Sequence, residues 1–242
     1  MNILIYTITR NSETKLYKYY EQISVIPKLF PEHNFYLSIY ENDSVDDTKS
    51  LLRSFDFSNF KDVHIKTEDL GVPSFGSVQD EQRVKILADA RNKAIFDCGF
   101  LDLCDKVMMI ESDAIYQSRA VRSLINFEKN NNIKADIVSS MYFWHVLNPV
   151  LYDTWATRWD ENCRGNTLRF DWKEKDYDKY YSTCNGICLF DAEPFKKGAK
   201  YHWFNERFGC FDCDTVVICE NFHKMGYSDI FIDYKSKVYT SE

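Results

Sequence analysis

The chain has 242 residues, with only 8 glycines and 5 prolines, and no Ser/Gly-rich or Pro-rich tract reads as a linker. That length supports a sizeable core in a single domain, 1–242. A formal net charge of -7, with lysine and arginine scattered, excludes a nucleic-acid-binding stripe. No apolar run approaches the roughly 18 residues needed to span a bilayer. Met1–Arg10 lacks the charged start and long apolar stretch of a signal peptide, so the chain is expected to be soluble and cytoplasmic. In that compartment the eight cysteines are expected as reduced thiols, mostly buried. A zinc site joining Cys184 and Cys188 to Cys210 and Cys213 is the minority reading.

Asn2 to Ile8 is an apolar run that predicts a first buried strand, ending on polar Thr9 to Ser12. Leu16, Tyr20, Ile23 and Ile26 recur at helical spacing up to Pro27. Phe35 to Tyr40 predicts a second strand, followed by Glu41 to Ser44. Ser44 and Asp47 then resemble a capping box for a helix whose apolar face holds Leu51, Leu52 and Phe55. Val63 to Lys66 predicts a third strand, and Leu70 to Ser77 a loop. Arg83 to Phe96 is a clear helix, in which Arg91 falls on an otherwise apolar stripe. A charge there requires a partner, either a carboxylate from a neighbouring strand or a ligand phosphate.

Lys106 to Ile110 is a further buried strand, and it stops on Glu111 and Asp113. Strand alternating with helix in this way predicts an α/β fold with a mainly parallel central sheet. The second half is less regular. Asp136 to Tyr142 and Gly186 to Phe190 are expected strands, and Thr215 to about Gly226 a helix. Asp229–Tyr234 and Lys237–Tyr239 read as two short closing strands, and Tyr152–Gly165 and Asn166–Tyr181 as largely irregular.

In open α/β sheets the ligand sits beyond the carboxyl ends of the strands. Thr9-Arg10, Glu41 to Asp47 and Glu111 to Asp113 would converge there. Glu111 and Asp113 stand two apart and would face the same way. Two close carboxylates repel unless a cation lies between them, which suggests a divalent metal; capping of the following turn is the alternative. Neither G-x-G-x-x-G nor G-x-x-x-x-G-K-[ST] occurs, so a bound phosphate would be held by metal rather than by a glycine cradle.

Five segments in register resemble one family. Tyr40-Glu-Asn-Asp-Ser-Val-Asp-Asp-Thr-Lys49 and Arg83-Val-Lys-Ile-Leu-Ala-Asp-Ala-Arg-Asn92 are similar to motifs of the fungal capsule-associated mannosyltransferases, typified by the cryptococcal α-1,3-mannosyltransferase. So are Asp105-Lys-Val with Ser112-Asp113, and Tyr152-Asp-Thr-Trp with Arg158 and Asp160. Cys184-Asn-Gly with Asp191-Ala-Glu-Pro-Phe195 completes the set. Two departures stand out. Trp159 separates Arg158 from Asp160, which are usually adjacent, and both Asp212 and Asp214 align with a late acidic position.

The resemblance implies a GT-A-like glycosyltransferase with a nucleotide-sugar-binding half, 1–116, and an acceptor-side half, 117–242. It implies a GDP- or UDP-linked sugar donor, a glycan or glycoprotein acceptor, Mn2+ or Mg2+, and retention at the sugar carbon, although similar folds also invert. On this basis Asp113, with Glu111, would hold the metal. Thr7, Arg10, Glu41, Asp46, Arg83, Arg91 and Ser112 would bind the donor, with Arg91 near the diphosphate or Glu41. Trp155, Arg158, Asn185 and Gly186 would face the acceptor, and Asp214, Asp212 and Asp160 are the candidate catalytic carboxylates. Blander roles exist for several of these. Glu41, Asp46 and Asp47 suit a helix cap, Asn185-Gly186 suits a hairpin turn, and His145, His202 and His223 suit ordinary packing, with His202 or His223 a minor candidate for a third metal ligand. The rival functions are a non-catalytic glycan-binding module on the same fold and a sugar-phosphate nucleotidyltransferase, whose opening loop is usually rich in glycine and basic residues.

Overall fold

The computed structural model describes residues 1–76, 78–144, 150–152, 154–163 and 175–240. In chain order its first elements are β1 (Asn2–Thr9), α1 (Glu13–Ile23), α2 (Ile26–Leu29), β2 (Asn34–Asn42), α3 (Thr48–Ser54) and β3 (Asp62–Glu68). Then come α4 (Glu81–Phe96), β4 (Lys106–Ile110), β5 (Ala114–Tyr116), α5 (Ser118–Ile125), α6 (Phe127–Asn131), β6 (Ile137–Trp144) and β7 (Val150–Leu151). The last are β8 (Tyr177–Lys179), β9 (Ile187–Asp191), α7 (Ala192–Lys196), β10 (Phe204–Asn205), β11 (Cys210–Phe211), α8 (Asp214–Lys224) and β12 (Ile230–Thr240).

The main sheet runs β3-β2-β1-β4-β9-β6-β12-β5, with β7 paired to β6 and β8 to β12. β1 is parallel to β2 and β4, β2 to β3, and β12 to β6. β9 is antiparallel to both β4 and β6, so those two strands run the same way. The sheet is thus mostly parallel, and it takes strands from residues 1–116 and from residues 117–242 alike.

Period-two alternation explains why the strands read as continuous apolar runs. Ile3, Ile5, Met108 and Ile110 face one layer, packed with Leu16 and Ile23 of α1 and Val121 and Leu124 of α5. Leu4, Tyr6, Val107 and Met109 face the other, packed with Ala88 and Ile95 of α4 and Ile218 and Phe222 of α8. Each such fully buried aliphatic side chain contributes about 1.5–3 kcal/mol.

Several local expectations change. Asp47 makes no side-chain cap bond at α3, and Ser44 Oγ accepts instead from the Asn11 amide at 2.9 Å. Asp46 takes the capping role: its two carboxylate oxygens accept from the amides of Thr48 and Glu13, each at 3.1 Å. One side chain thereby ties the starts of α1 and α3. The two closing strands are one, β12, interrupted by a register shift between Asp233 and Lys237. Pro27 does not end a helix but occupies the first turn of α2, where its missing N–H costs nothing. Asn185-Gly186 is not a hairpin turn, because β9 pairs with β4 and β6 rather than with the strand before it. Gly186 has φ +56, and a Cβ there would lie 3.0 Å from the Tyr142 ring and from Val238, so any other residue is strained there. Expected features at Ser77, His145, Asp153 and residues 164–174 lie outside the described residues.

Candidate active site

A cleft of about 560 Å3 opens at the carboxyl ends of β1, β2 and β4. Arg10, Asn11 and Ser12 follow β1, Asn42 ends β2, and Glu111, Ser112 and Asp113 follow β4. α4 contributes Arg83, Leu87 and Arg91, and the start of α8 contributes Asp214 and Thr215. Pro73 to Gly76, Tyr142, Tyr152 and Trp155 close the remaining sides.

Arg91 organises the floor. Its Nη2 donates to Glu111 Oε1 at 2.9 Å and its Nε to Asp214 Oδ2 at 2.8 Å. The guanidinium is 7% exposed, Asp214 3% and Glu111 23%. Burial alone would lower the Arg91 pKa, but Glu111 and Asp214 outweigh it and hold it well above its usual value. Of the partners weighed for Arg91, the structure supplies carboxylates, one from the end of β4 and one from α8. Glu41 is not among them.

Asp113 stands beside this network. Its Oδ1 accepts from the Tyr142 hydroxyl at 3.3 Å, and its Oδ2 lies 3.8 Å from Lys15 Nζ. Burial first, and then the charge of Glu111, raise its pKa above the usual carboxylate range. Such a group gains from a nearby cation. No cluster of three or more His, Cys, Asp or Glu side chains suited to metal occurs among the described residues. Asp113 and Glu111 nonetheless form a hard oxygen donor set. Mg2+-like ions commonly bind one or two carboxylates and complete their shell with water and substrate phosphate, so the residues present fit that kind of site.

Besides Arg91, three further cations line the same cleft: Arg10, Lys15 and Arg83. Arg10 donates to the carbonyls of Val72 and Pro73, and the Asp43 carboxylate accepts from the amides of Leu70 and Gly71. The loop over the cleft is therefore held at two points.

The structure brings Arg10, Arg83, Arg91, Glu111, Ser112, Asp113, Trp155 and Asp214 to the cleft and leaves other candidates out of its lining. Thr7 is buried within β1, bonded to the Ile110 carbonyl and the Tyr19 hydroxyl. Glu41 is fully buried. Its Oε1 accepts from the Ser44 amide, and its Oε2 has no partner among the described residues. Asp46 is committed to the two helix starts described above. Asp212 pairs with Arg158 and also accepts from Asn205 Nδ2 and the Cys213 amide. α8 begins at Asp214, so the chain turns between the two aspartates and only Asp214 faces the cleft. Asn185 is 3% exposed and bonded to Ser139, Thr157 and Thr183, and Gly186 packs on Tyr142. Asp160 is exposed and accepts from the Asn162 amide in its own turn.

His202 and His223 do not line the cleft. His223 Nε2 lies 2.8 Å from the Tyr181 carbonyl, while His202 engages backbone at Phe204. All eight cysteines are free thiols, and the two cysteine pairs form no metal group among the described residues. Lys15 and Tyr142 were not anticipated at the site. Lys15 was legible as part of the first turn after β1, and Tyr142 as the last expected residue of its strand.

The chain superimposes over 100% of its length on S. aureus TarS 1–349 in complex with UDP-GlcNAc, with a TM-score of 0.56 and 13% identity, covering 59% of that chain. Over 99% of its length it matches the mannosyltransferase PcManGT from Pyrobaculum calidifontis in complex with GDP-Man and Mn2+, with a TM-score of 0.56 and 11% identity, covering 56% of that chain. The chain thus spans less than two thirds of the length of these structures. At such identities the likeness establishes the fold, which is that of the GT-A-like glycosyltransferases. A comparison with curated protein sequences finds no match. The chain belongs to the family described as cryptococcal mannosyltransferase 1, whose sequence profile matches residues 2–221. No helix among the described residues is long and apolar enough to cross a membrane.

Proposed function

We propose that this protein transfers a hexose, mannose by family, from a GDP- or UDP-linked donor to a hydroxyl of a glycan or glycoprotein acceptor. The observation that carries the reading is the cleft itself, where Glu111 and Asp113 face Arg10, Lys15 and Arg83 at the strand ends. Such a mixture suits a diphosphate that arrives with a divalent cation. The three basic side chains offset phosphate charge directly.

Mn2+ or Mg2+ would be held by Asp113 with Glu111 beside it, and would stabilise the negative charge developing on the diphosphate. Arg91 keeps Glu111 and Asp214 fixed across the floor. Tyr142 donates to Asp113 and limits its rotation. Trp155 and Tyr152, both half-buried, present ring surface on which an acceptor sugar can stack. Asp214, bonded to Arg91 and nearly buried, shapes the floor beneath the acceptor hydroxyl. The bond from C1 to the phosphate oxygen breaks with its electron pair staying on the diphosphate, and the hydroxyl oxygen forms the new bond to C1. Its proton passes to the departing phosphate oxygen, with retention at C1.

The test is donor hydrolysis and transfer with GDP-mannose and UDP-GlcNAc, with Mn2+ or with EDTA, in wild type and Asp113→Asn. Turnover of one donor that EDTA and the substitution both abolish supports the reading. Carbohydrate binding that ignores metal and survives Asp113→Asn would instead favour a glycan-binding module.

A further inference from the structure

The cations of the cleft differ in how they are held. Arg91 bridges Glu111 and Asp214, Arg10 donates to the carbonyls of Val72 and Pro73, and Arg83 Nη1 donates to the Val78 carbonyl at 3.3 Å. The Lys15 ammonium has one polar partner among the described residues, Asp113 Oδ2 at 3.8 Å. Both side chains of this pair are 37% exposed, so it is open to the cleft.

The docking of a helix on a strand puts Lys15 there. Gln22, seven residues further along α1, donates from Nε2 to the Tyr116 carbonyl at 2.6 Å, and Tyr116 lies three residues after Asp113. Seven residues of helix and three of strand each advance the chain about 10 Å. α1 therefore runs alongside β5, with Lys15 at Asp113 and Gln22 at Tyr116. Tyr19, between them on the helix, is tied to Thr7 of β1 through its hydroxyl at 2.7 Å. Helix stability does not explain a lysine at this position. Lys15 falls in the first turn of α1, where a cation opposes the helix dipole.

Asp113 is also the carboxylate that would hold the divalent cation. Burial and the charge of Glu111 oppose its ionisation, and Lys15 offsets part of both. A divalent ion on the same oxygens would stand close to the ammonium, and like charges at that range repel. The ammonium must then leave, and it can, because half-exposed ion pairs are weak. The anion in need of a cation is now the diphosphate that arrives with the metal.

We infer that Lys15 is an exchangeable counter-ion. It neutralises Asp113 until a divalent cation displaces it, and it then turns to the phosphates of the donor. The displacement requires only the cation; the turn to phosphate rests on the transferase reading.

The experiment measures binding, not turnover, in wild type, Lys15→Met, Lys15→Arg and Asp113→Asn. Mn2+ alone is titrated and followed by loss of the free-ion electron paramagnetic resonance signal. GDP-mannose and UDP-GlcNAc are then titrated calorimetrically at saturating Mn2+. In Lys15→Met the Kd for Mn2+ should fall, and the Kd for one donor should rise, each at least about threefold. Lys15→Arg, which keeps the charge, should restore both toward wild type, and Asp113→Asn should weaken Mn2+. A lysine that only supported the fold would not tighten Mn2+ when removed. An Mn2+ affinity that is unchanged, lower or undetectable in Lys15→Met, or a donor affinity that the substitution leaves unchanged, would overturn the inference. Donor binding by wild type with equal Mn2+ affinity in Lys15→Met sinks only this inference. Tighter Mn2+ binding in Lys15→Met, with neither donor bound by any variant, sinks the transferase reading and supports the displacement.

Discussion

Replacing Arg91 by methionine keeps most of the side-chain volume and removes the charge between Glu111 and Asp214. Asp214, 3% exposed, has almost no access to replacement water, whereas Glu111 at 23% can partly rehydrate. Removing one partner of a buried ion pair costs about 3–5 kcal/mol. Because one of the two carboxylates can rehydrate, the lower part of that range, about 3–4 kcal/mol, is expected. At this chain length each kcal/mol moves Tm by about 2–4 °C, so the shift is about 6–16 °C. Urea unfolding followed by tryptophan fluorescence measures the loss directly, as a lower midpoint at unchanged slope. Adding Asp214→Leu removes the stranded charge and should return at least about 1 kcal/mol. A loss below about 1 kcal/mol in Arg91→Met, or no recovery in the double variant, would refute the view that the pairing is buried and electrostatic.

Gly186→Ala puts a methyl group 3.0 Å from the Tyr142 ring at φ +56, and should cost about 2–4 kcal/mol in the same unfolding assay. Wild-type stability would mean that the ring moves aside freely. Glu68, bonded to Lys93, Tyr40 and Lys66, has its pKa lowered from 4.5 to about 2. Its folded-state value is depressed, so its contribution is fully present above about pH 4.5 and is lost as pH falls toward 2. The carboxylate is a quarter exposed, and solvent screening reduces that contribution to about 1 kcal/mol. Wild type should therefore lose about 1 kcal/mol more than Glu68→Gln between pH 5 and 2, and parallel pH profiles would count against it.

Much of the architecture was legible because strands buried on both faces leave uninterrupted apolar runs. β1, β2 and β4 carry that signature, and α4 shows its stripe. Strand direction has no such signature, so the antiparallel insertion of β9 between β4 and β6 could not be read. α5 was overlooked although Ala120, Val121, Leu124 and Ile125 are spaced for a helix face. At the site, carboxylates at strand ends pointed to the cleft, but the partners of Arg91 lie 20 and 123 residues away along the chain. Asp212 and Asp214 look equivalent as sequence; the start of α8 between them sends one to Arg158 and the other to the cleft. Asp46 resembled a ligand residue because helix caps and ligand carboxylates use the same side chains.

The most direct measurement is calorimetric titration of GDP-mannose and UDP-GlcNAc into wild type and Asp113→Asn, with Mn2+ and with EDTA. One donor should bind wild type with Mn2+, and Kd should rise at least tenfold on chelation and equally in Asp113→Asn with Mn2+ present. Binding of neither donor, or binding that neither EDTA nor the substitution weakens, would contradict a metal-assisted donor site at Asp113.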